Sequence, residues 1–174
     1  MNPTYFEELR LKGLSGPVFR SRMPASLYDI EVAEKILPVW QINGITHVVC
    51  LQLEDEMERY AAMHLPTEFY PDQNLDCLWH PILDHHGSNT PSQLLDDAIQ
   101  INSLISKGRN VVIHCHAGVG RTGMFIAAML ISIGFTVDDA IINLRNSSSQ
   151  LKHSVNQDQR DCLQIVAKLK EGMK

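Results

Sequence analysis

Short apolar runs alternate with amphipathic stretches along this chain, and that alternation sets the expected architecture. Val18-Phe19-Arg20, Ile45 to Leu51, Leu78 to Ile82 and Val111 to His114 are compact runs that predict strands, the third placed at a sheet edge by Pro81. Between them the apolar residues recur with helical spacing. Tyr28 to Ile42 predicts a helix with Val32, Ala33, Ile36 and Leu37 inward, kinked or ended at Pro38. Glu54 to about Met63 reads as an acidic helix, followed by a loop that ends at Pro66. Thr90-Pro91-Ser92-Gln93 has the form of a helix start, with Thr as N-cap, Pro first and Gln reaching back. Leu94, Leu95, Ala98, Ile99 and Ile105 line one face of that helix up to Gly108. The stretch 121–133 is apolar all round, predicting a central buried helix that Gly134 ends. Thr136 should cap a short helix carrying Val137, Ala140, Ile141 and Leu144. A last helix, about 156–170, should bury Cys162, Ile165, Val166 and Leu169. Strands alternating with helices predict an α/β fold: one domain over 1–174, with a mostly parallel sheet of four or five strands and helices on both faces.

Composition narrows the class. With 174 residues, 44% of them hydrophobic, the chain can bury a sizeable core. A formal net charge of −5, with both signs mixed along the chain, argues against a nucleic-acid surface or a polybasic membrane anchor. The acid-bearing N-terminus lacks the order of a signal peptide, and the longest apolar run, Met124 to Phe135, is too short to span a bilayer. Stable membrane insertion is therefore not expected. The cysteines at 50, 77, 115 and 162 have neither metal-site nor disulfide-framework spacing, which points to a reducing, cytoplasmic compartment.

The chemistry lies in His114-Cys115-His116-Ala117-Gly118-Val119-Gly120-Arg121-Thr122-Gly123, where a buried strand feeds a tight loop and then a helix start. Backbone N–H groups and the positive dipole end at such a place favour thiolate over thiol. Arg121 closes the loop with a planar fork that matches phosphate oxygens. Gly118 and Gly120 suit a loop that must turn its amides inward.

These residues match the His-Cys-x5-Arg-Ser/Thr signature, and the chain resembles the protein tyrosine phosphatase superfamily, in its compact, dual-specificity-like or atypical branch. The resemblance implies Cys115 as nucleophile, forming a phosphocysteine. It implies that His116, Ala117, Gly118, Val119, Gly120 and Arg121 hold the phosphate. It also implies that His114 orders the loop and Thr122 stabilises the leaving thiolate. Its compact members carry a general acid about thirty residues upstream of the cysteine. Asp84, 31 residues before Cys115, fits that place, with Asp76 and Asp72 as rivals. The contiguous Trp-Pro-Asp of tyrosine-specific members is absent. Val155 to Leu163 resembles the segment that supplies a glutamine beside the hydrolytic water, here Gln159, with Gln157 the alternative. Phe19 to Pro24 resembles an arginine-serine stretch at the start of several members; Arg20 and Arg22 read there as surface residues, with substrate contact the alternative. Cys50 could pair with oxidised Cys115 as in some relatives; a buried apolar cysteine is the plainer reading.

The resemblance implies a phosphomonoester hydrolase that needs no cofactor and acts on phosphotyrosine, with phosphoserine and phosphothreonine also open, in a protein or peptide partner. A phosphoinositide or inositol phosphate phosphatase is the alternative, and a phosphopeptide-binding pseudophosphatase a third. His80, His85, His86, His114 and His116 invite a metal site, but adjacent pairs seldom share one tetrahedral centre and Arg121 would repel a cation. No metal is expected.

Overall fold

The computed structural model describes residues 5–24, 30–61 and 65–173. Five strands form one sheet: β1 (Phe6–Leu9), β2 (Val18–Ser21), β3 (Ile45–Cys50), β4 (Asp76–Trp79) and β5 (Asn110–His114). Their order is β1-β2-β5-β3-β4, parallel throughout except for the β1–β2 pair. The expected mostly parallel α/β sheet is therefore present, with β4 at an edge; β4 ends at Trp79, so Pro81 lies beyond it rather than within the expected Leu78 to Ile82 strand. β1 was not anticipated. Its two acids break the apolar pattern, but an edge strand need bury little, and Glu7 finds a partner in Arg20 of β2.

Helices α1 (Ile30–Ile42), α2 (Glu54–Ala61), α3 (Pro66–Asp72), α4 (Pro91–Ser106), α5 (Gly120–Ser132), α6 (Val137–Ser147) and α7 (Gln157–Gly172) complete the fold. Tyr28, Met63 and the side chains of Val32 and Ala33 lie outside the described residues. α1 continues through Pro38 rather than ending there. Pro66 begins a helix instead of closing a loop: at the first helical position it lacks only an N–H that would have no partner anyway.

Two apolar clusters sandwich the sheet. On one face α5, buried over Arg121–Ser132, packs with residues of α4, α6 and α7 against Val49, Val111 and Ile113. On the other, Ile36 and Trp40 of α1, Met57 of α2 and Tyr70 of α3 cover Phe19, Val48 and Val112. The buried stripe of α7 is Gln159, Cys162, Leu163 and Val166, an i, i+3, i+4, i+7 set. Ile165 and Leu169 flank it and are 49% and 39% exposed, contrary to expectation.

The helix starts divide in the same way. Thr136 Oγ1 accepts from Asp139 N–H as a true cap of α6. Thr90 makes no side-chain cap: Ser88 Oγ accepts from Thr90 N–H, and Gln93 turns to Asp97 at 2.8 Å. Thr136→Ala is thus expected to lower the unfolding free energy by about 1 kcal/mol, and Thr90→Ala by clearly less. Urea denaturation of the two variants reads the difference directly.

Candidate active site

β5 ends at His114 beside Cys50 of β3, at the centre of the sheet, and the chain turns through 115–119 into α5. This loop lies at the carboxyl end of the parallel strands, where α/β sheets place their ligands. It is held tightly from outside. Gly118 adopts φ 72°, and a Cβ there would fall 2.2 Å from the Ser21 carbonyl oxygen, so both the dihedral and the space demand glycine. Arg20, fully buried on β2, donates to the Gly118 carbonyl at 3.1 Å and to Glu7 at 2.8 Å. Arg20 is therefore a brace behind the loop, not the surface arginine its sequence suggests. Met23 N–H donates to the His116 carbonyl, tying the segment after β2 to the loop as well. Arg22 lies against the Tyr5 ring.

His114 is sealed beneath. Its Nδ1 lies 3.3 Å from the Cys115 carbonyl and its Nε2 lies 2.6 Å from Tyr70 Oη. A carbonyl can only accept, so Nδ1 carries the proton and Nε2 accepts from the tyrosine. Trp40 packs on both rings. Burial pushes the His114 imidazole down to about 4, with the Arg121 charge adding to it against the bond to Cys115. The ring is neutral and its Nδ1–H meets the Cys115 carbonyl at the base of the loop.

Cys115 is 3% exposed and opens onto a cavity of about 370 Å³. The cavity is lined by Cys115 to Ala117, Val119 and Gly120 of the loop, Asp84 and His85, and His153, Val155, Asn156 and Gln159. Among the described residues, no side chain caps the start of α5. Burial, and then the Arg22 charge, lowers the His116 imidazole below its ordinary value, so it is neutral at pH 7.

Arg121 is 1% exposed, and one edge of its fork is already engaged. Nη1 and Nη2 meet the two Glu56 oxygens at 2.5 and 2.8 Å, and Nη1 also donates to the Ile82 carbonyl at 2.9 Å. Nε has no partner among the described residues, and the neighbouring Nη2 stands 3.3 Å from Asp84 Oδ1. Burial alone would lower this guanidinium. The Glu56 bonds and the nearby Cys115, Glu56 and Asp84 charges outweigh it and hold the group firmly cationic. Glu56 was missed in the sequence, where it is one of three acids in the first turn of α2 and reads as a solvated face. Its only local hint is spacing: it also accepts from Leu53 N–H, as an acid at the third helical position does.

Of the three candidate acids, Asp84 borders the cavity. Asp76 pairs with His47 at the other end of the strands, and Asp72 is exposed at the end of α3. Gln159 reaches the cavity from α7, with its oxygen in a capping box on Asn156 N–H. Gln157 is exposed and bonds Asp161. Thr122 Oγ1 is buried without a hydrogen-bond partner among the described residues. The histidines diverge: His80 bonds Asp97 and Ser88, His114 bonds Tyr70, and His86 lies against Asp158. Burial raises the Cys50, Cys77 and Cys162 thiols, Cys77 to about 12.

A cysteine and an arginine thus close one loop between a central parallel strand and a buried helix. Residues 27–162 match the dual specificity phosphatase catalytic domain, and the chain belongs to that family. It is 42% identical over 127 residues to the Bos taurus protein tyrosine phosphatase domain-containing protein 1, a match covering 66% of this chain and 16% of that much longer relative. Kinase associated phosphatase, solved with its catalytic cysteine replaced by serine, shares the fold at TM-score 0.78 and 16% identity, over 98% of this chain and 97% of that one. Tk-PTP in its active form does so at 0.70 and 24%, over 97% and 99%. PTPMT1 in complex with PI(5)P gives 0.71 and 18%, over 90% and 93%. No helix among the described residues is long and apolar enough to cross a membrane.

The buried His114 has a consequence for stability. The unfolded chain protonates this ring near its ordinary value of 6.5, whereas the folded protein resists protonation down to about 4. Its contribution is fully present above pH 6.5 and is lost as pH falls toward 4, by about 3 kcal/mol across that window. Urea denaturation between pH 4 and 7 should show a flatter profile for His114→Asn than for the wild type. Equal slopes would place the titration elsewhere.

Proposed function

We propose that the chain hydrolyses phosphomonoesters on proteins, phosphotyrosine first and phosphoserine or phosphothreonine second, through a phosphocysteine on Cys115. The observation that carries this reading is the open edge of Arg121. Nε–H has no partner among the described residues, and the Nη2 beside it meets Asp84 Oδ1 at 3.3 Å, so that side, whose other edge Glu56 holds, suits two oxygens of one phosphate once Asp84 is protonated. The amides of 116–121 complete the cradle.

In the first step the Cys115 thiolate attacks phosphorus in line, the ester P–O bond breaks, and protonated Asp84 gives its proton to the departing oxygen. The Asp84 carboxylate then takes a proton from water, the resulting hydroxide attacks phosphorus, and the P–S bond breaks to release phosphate and thiolate. Gln159 orients that water, and the Thr122 hydroxyl donates to the sulfur as its charge returns. The orphaned Thr122 oxygen supports that role, since the sulfur would give its proton a partner. No step needs a metal or other cofactor.

The cavity lining also bears on the substrate. Among the described residues that line it, Arg121 behind the loop aside, there is no lysine or arginine, and His116 is neutral, which supports one phosphate over several. Dependence on a thiolate suits a reducing compartment such as the cytoplasm.

A panel of phosphotyrosine, phosphoserine and phosphothreonine peptides against inositol phosphates and phosphoinositide vesicles tests the reading, with Cys115→Ser as the blank. We expect the phosphotyrosine peptide to lead in kcat/KM, the blank to be inactive on every substrate, and the ranking to survive excess EDTA. A polyphosphorylated inositol or phosphoinositide in first place would reassign the substrate. Wild-type turnover by Cys115→Ser would remove the covalent mechanism.

A further inference from the structure

The loop that carries Asp84 is tied down by groups that the chemistry above does not use. Just before it, the Ile82 carbonyl accepts from Arg121. From the first turn of α7, Asn156 Nδ2 donates to the His85 carbonyl at 2.7 Å, and Asp158 Oδ2 accepts from Gly87 N–H at 2.7 Å. A Cβ on Gly87 would lie 2.6 Å from Cys162 Cβ, so the loop backbone rests directly on that helix. Behind the loop runs a buried relay. Asp97 Oδ2 lies 2.6 Å from His80 Nδ1, and His80 Nε2 lies 2.8 Å from Ser88 Oγ.

Aspartate, histidine and serine in this order have the connectivity of a nucleophile relay. Ser88 is only 8% exposed, however, and its oxygen already accepts from Thr90 N–H at 3.1 Å. It anchors rather than attacks. The tethers thus fix the chain at 82, 85, 87 and 88, on both sides of a turn in which His85 takes φ 64° and its N–H donates to Asp84 Oδ1. The Asp84 carboxylate is 54% exposed and meets Arg121 Nη2 at 3.3 Å and His85 Nε2 at 3.5 Å, so its place depends on where the loop backbone sits, and a proton donor misplaced by about an ångström can cost on the order of a hundredfold in rate.

We propose that Asp158, and Ser88 held by the His80–Asp97 relay, are positioning residues that keep Asp84 at the cradle, so that the proton donor stands ready without closure of a loop. This rests on the reading of Asp84 as the general acid. Neither residue touches substrate; each acts through Asp84.

The test compares kcat/KM on phenyl phosphate, whose leaving oxygen needs a proton, with p-nitrophenyl phosphate, whose leaving oxygen needs it far less. Asp158 is 59% exposed, so Asp158→Ala leaves the fold intact, and Ser88→Ala cuts the relay from the other side with little change in volume. Each is expected to lose about tenfold on phenyl phosphate and under about twofold on p-nitrophenyl phosphate. Asp158→Asn, which keeps an acceptor for Gly87 N–H, should restore most of the loss. In an Asp84→Asn background neither alanine should add a selective loss, because no acid is left to position. Equal losses on both substrates, selective losses that persist in Asp84→Asn, or no loss at all would overturn the proposal. If Asp84→Asn is selective and the positioning variants are not, the positioning role alone fails. If Asp84→Asn is itself unselective, the acid assignment fails and the positioning role falls with it.

Discussion

A guanidinium taken almost wholly out of water needs its charge met inside the protein, and at Arg121 Glu56 meets it. Desolvation of two such ions costs several kcal/mol each, and only a two-point contact with further hydrogen bonds offsets it. The Ile82 carbonyl supplies one of those bonds. This arrangement fixes the guanidinium plane, and with it the direction in which the remaining edge can donate. Arginine suits the place because lysine has no second edge: a point charge bound by Glu56 would have nothing directional left to offer an anion.

The rest of the site follows from that fixed plane. Arg121 joins α5 to α2 through Glu56 and to the segment before Asp84 through Ile82, so one side chain ties together the Cys115 loop, the Asp84 loop and the opposite helix layer. His114 and Arg20 secure the same loop from beneath and behind, by a neutral hydrogen bond to Cys115 and a charged one to Gly118. The loop is thereby braced from β5 itself and from β2 beside it. An anion cradle made from backbone amides needs this, since amides select an anion only when the backbone cannot turn them away.

What the sequence made legible was contiguous. Strand, loop and buried helix over 111–133 read directly, because apolar runs, two glycines and the Cys–Arg spacing all lie within one segment. Glu56 did not read, since its partner stands 65 residues away and its neighbours Glu54 and Asp55 are exposed acids. β1 was hidden for a related reason: Glu7 looks solvated until Arg20 is placed beside it. Thr90-Pro91-Ser92-Gln93 has every residue of a capping box, but Ser88 Oγ takes the Thr90 N–H that Gln93 would have met, and Asp97 takes the Gln93 side chain itself. Asn156 and Gln159 form that box at α7 instead.

The central claim is that Arg121 presents Nε–H as an open donor to a phosphate beside Cys115. Nitrogen-15 NMR of arginine side chains reads it directly, with the Arg121 Nε–H resonance assigned from its loss in Arg121→Lys. Titration of Cys115→Ser with orthophosphate or tungstate should move that proton downfield in step with oxyanion binding, as a new charge-assisted hydrogen bond forms. A resonance that stays in place while calorimetry shows the oxyanion bound would contradict the account.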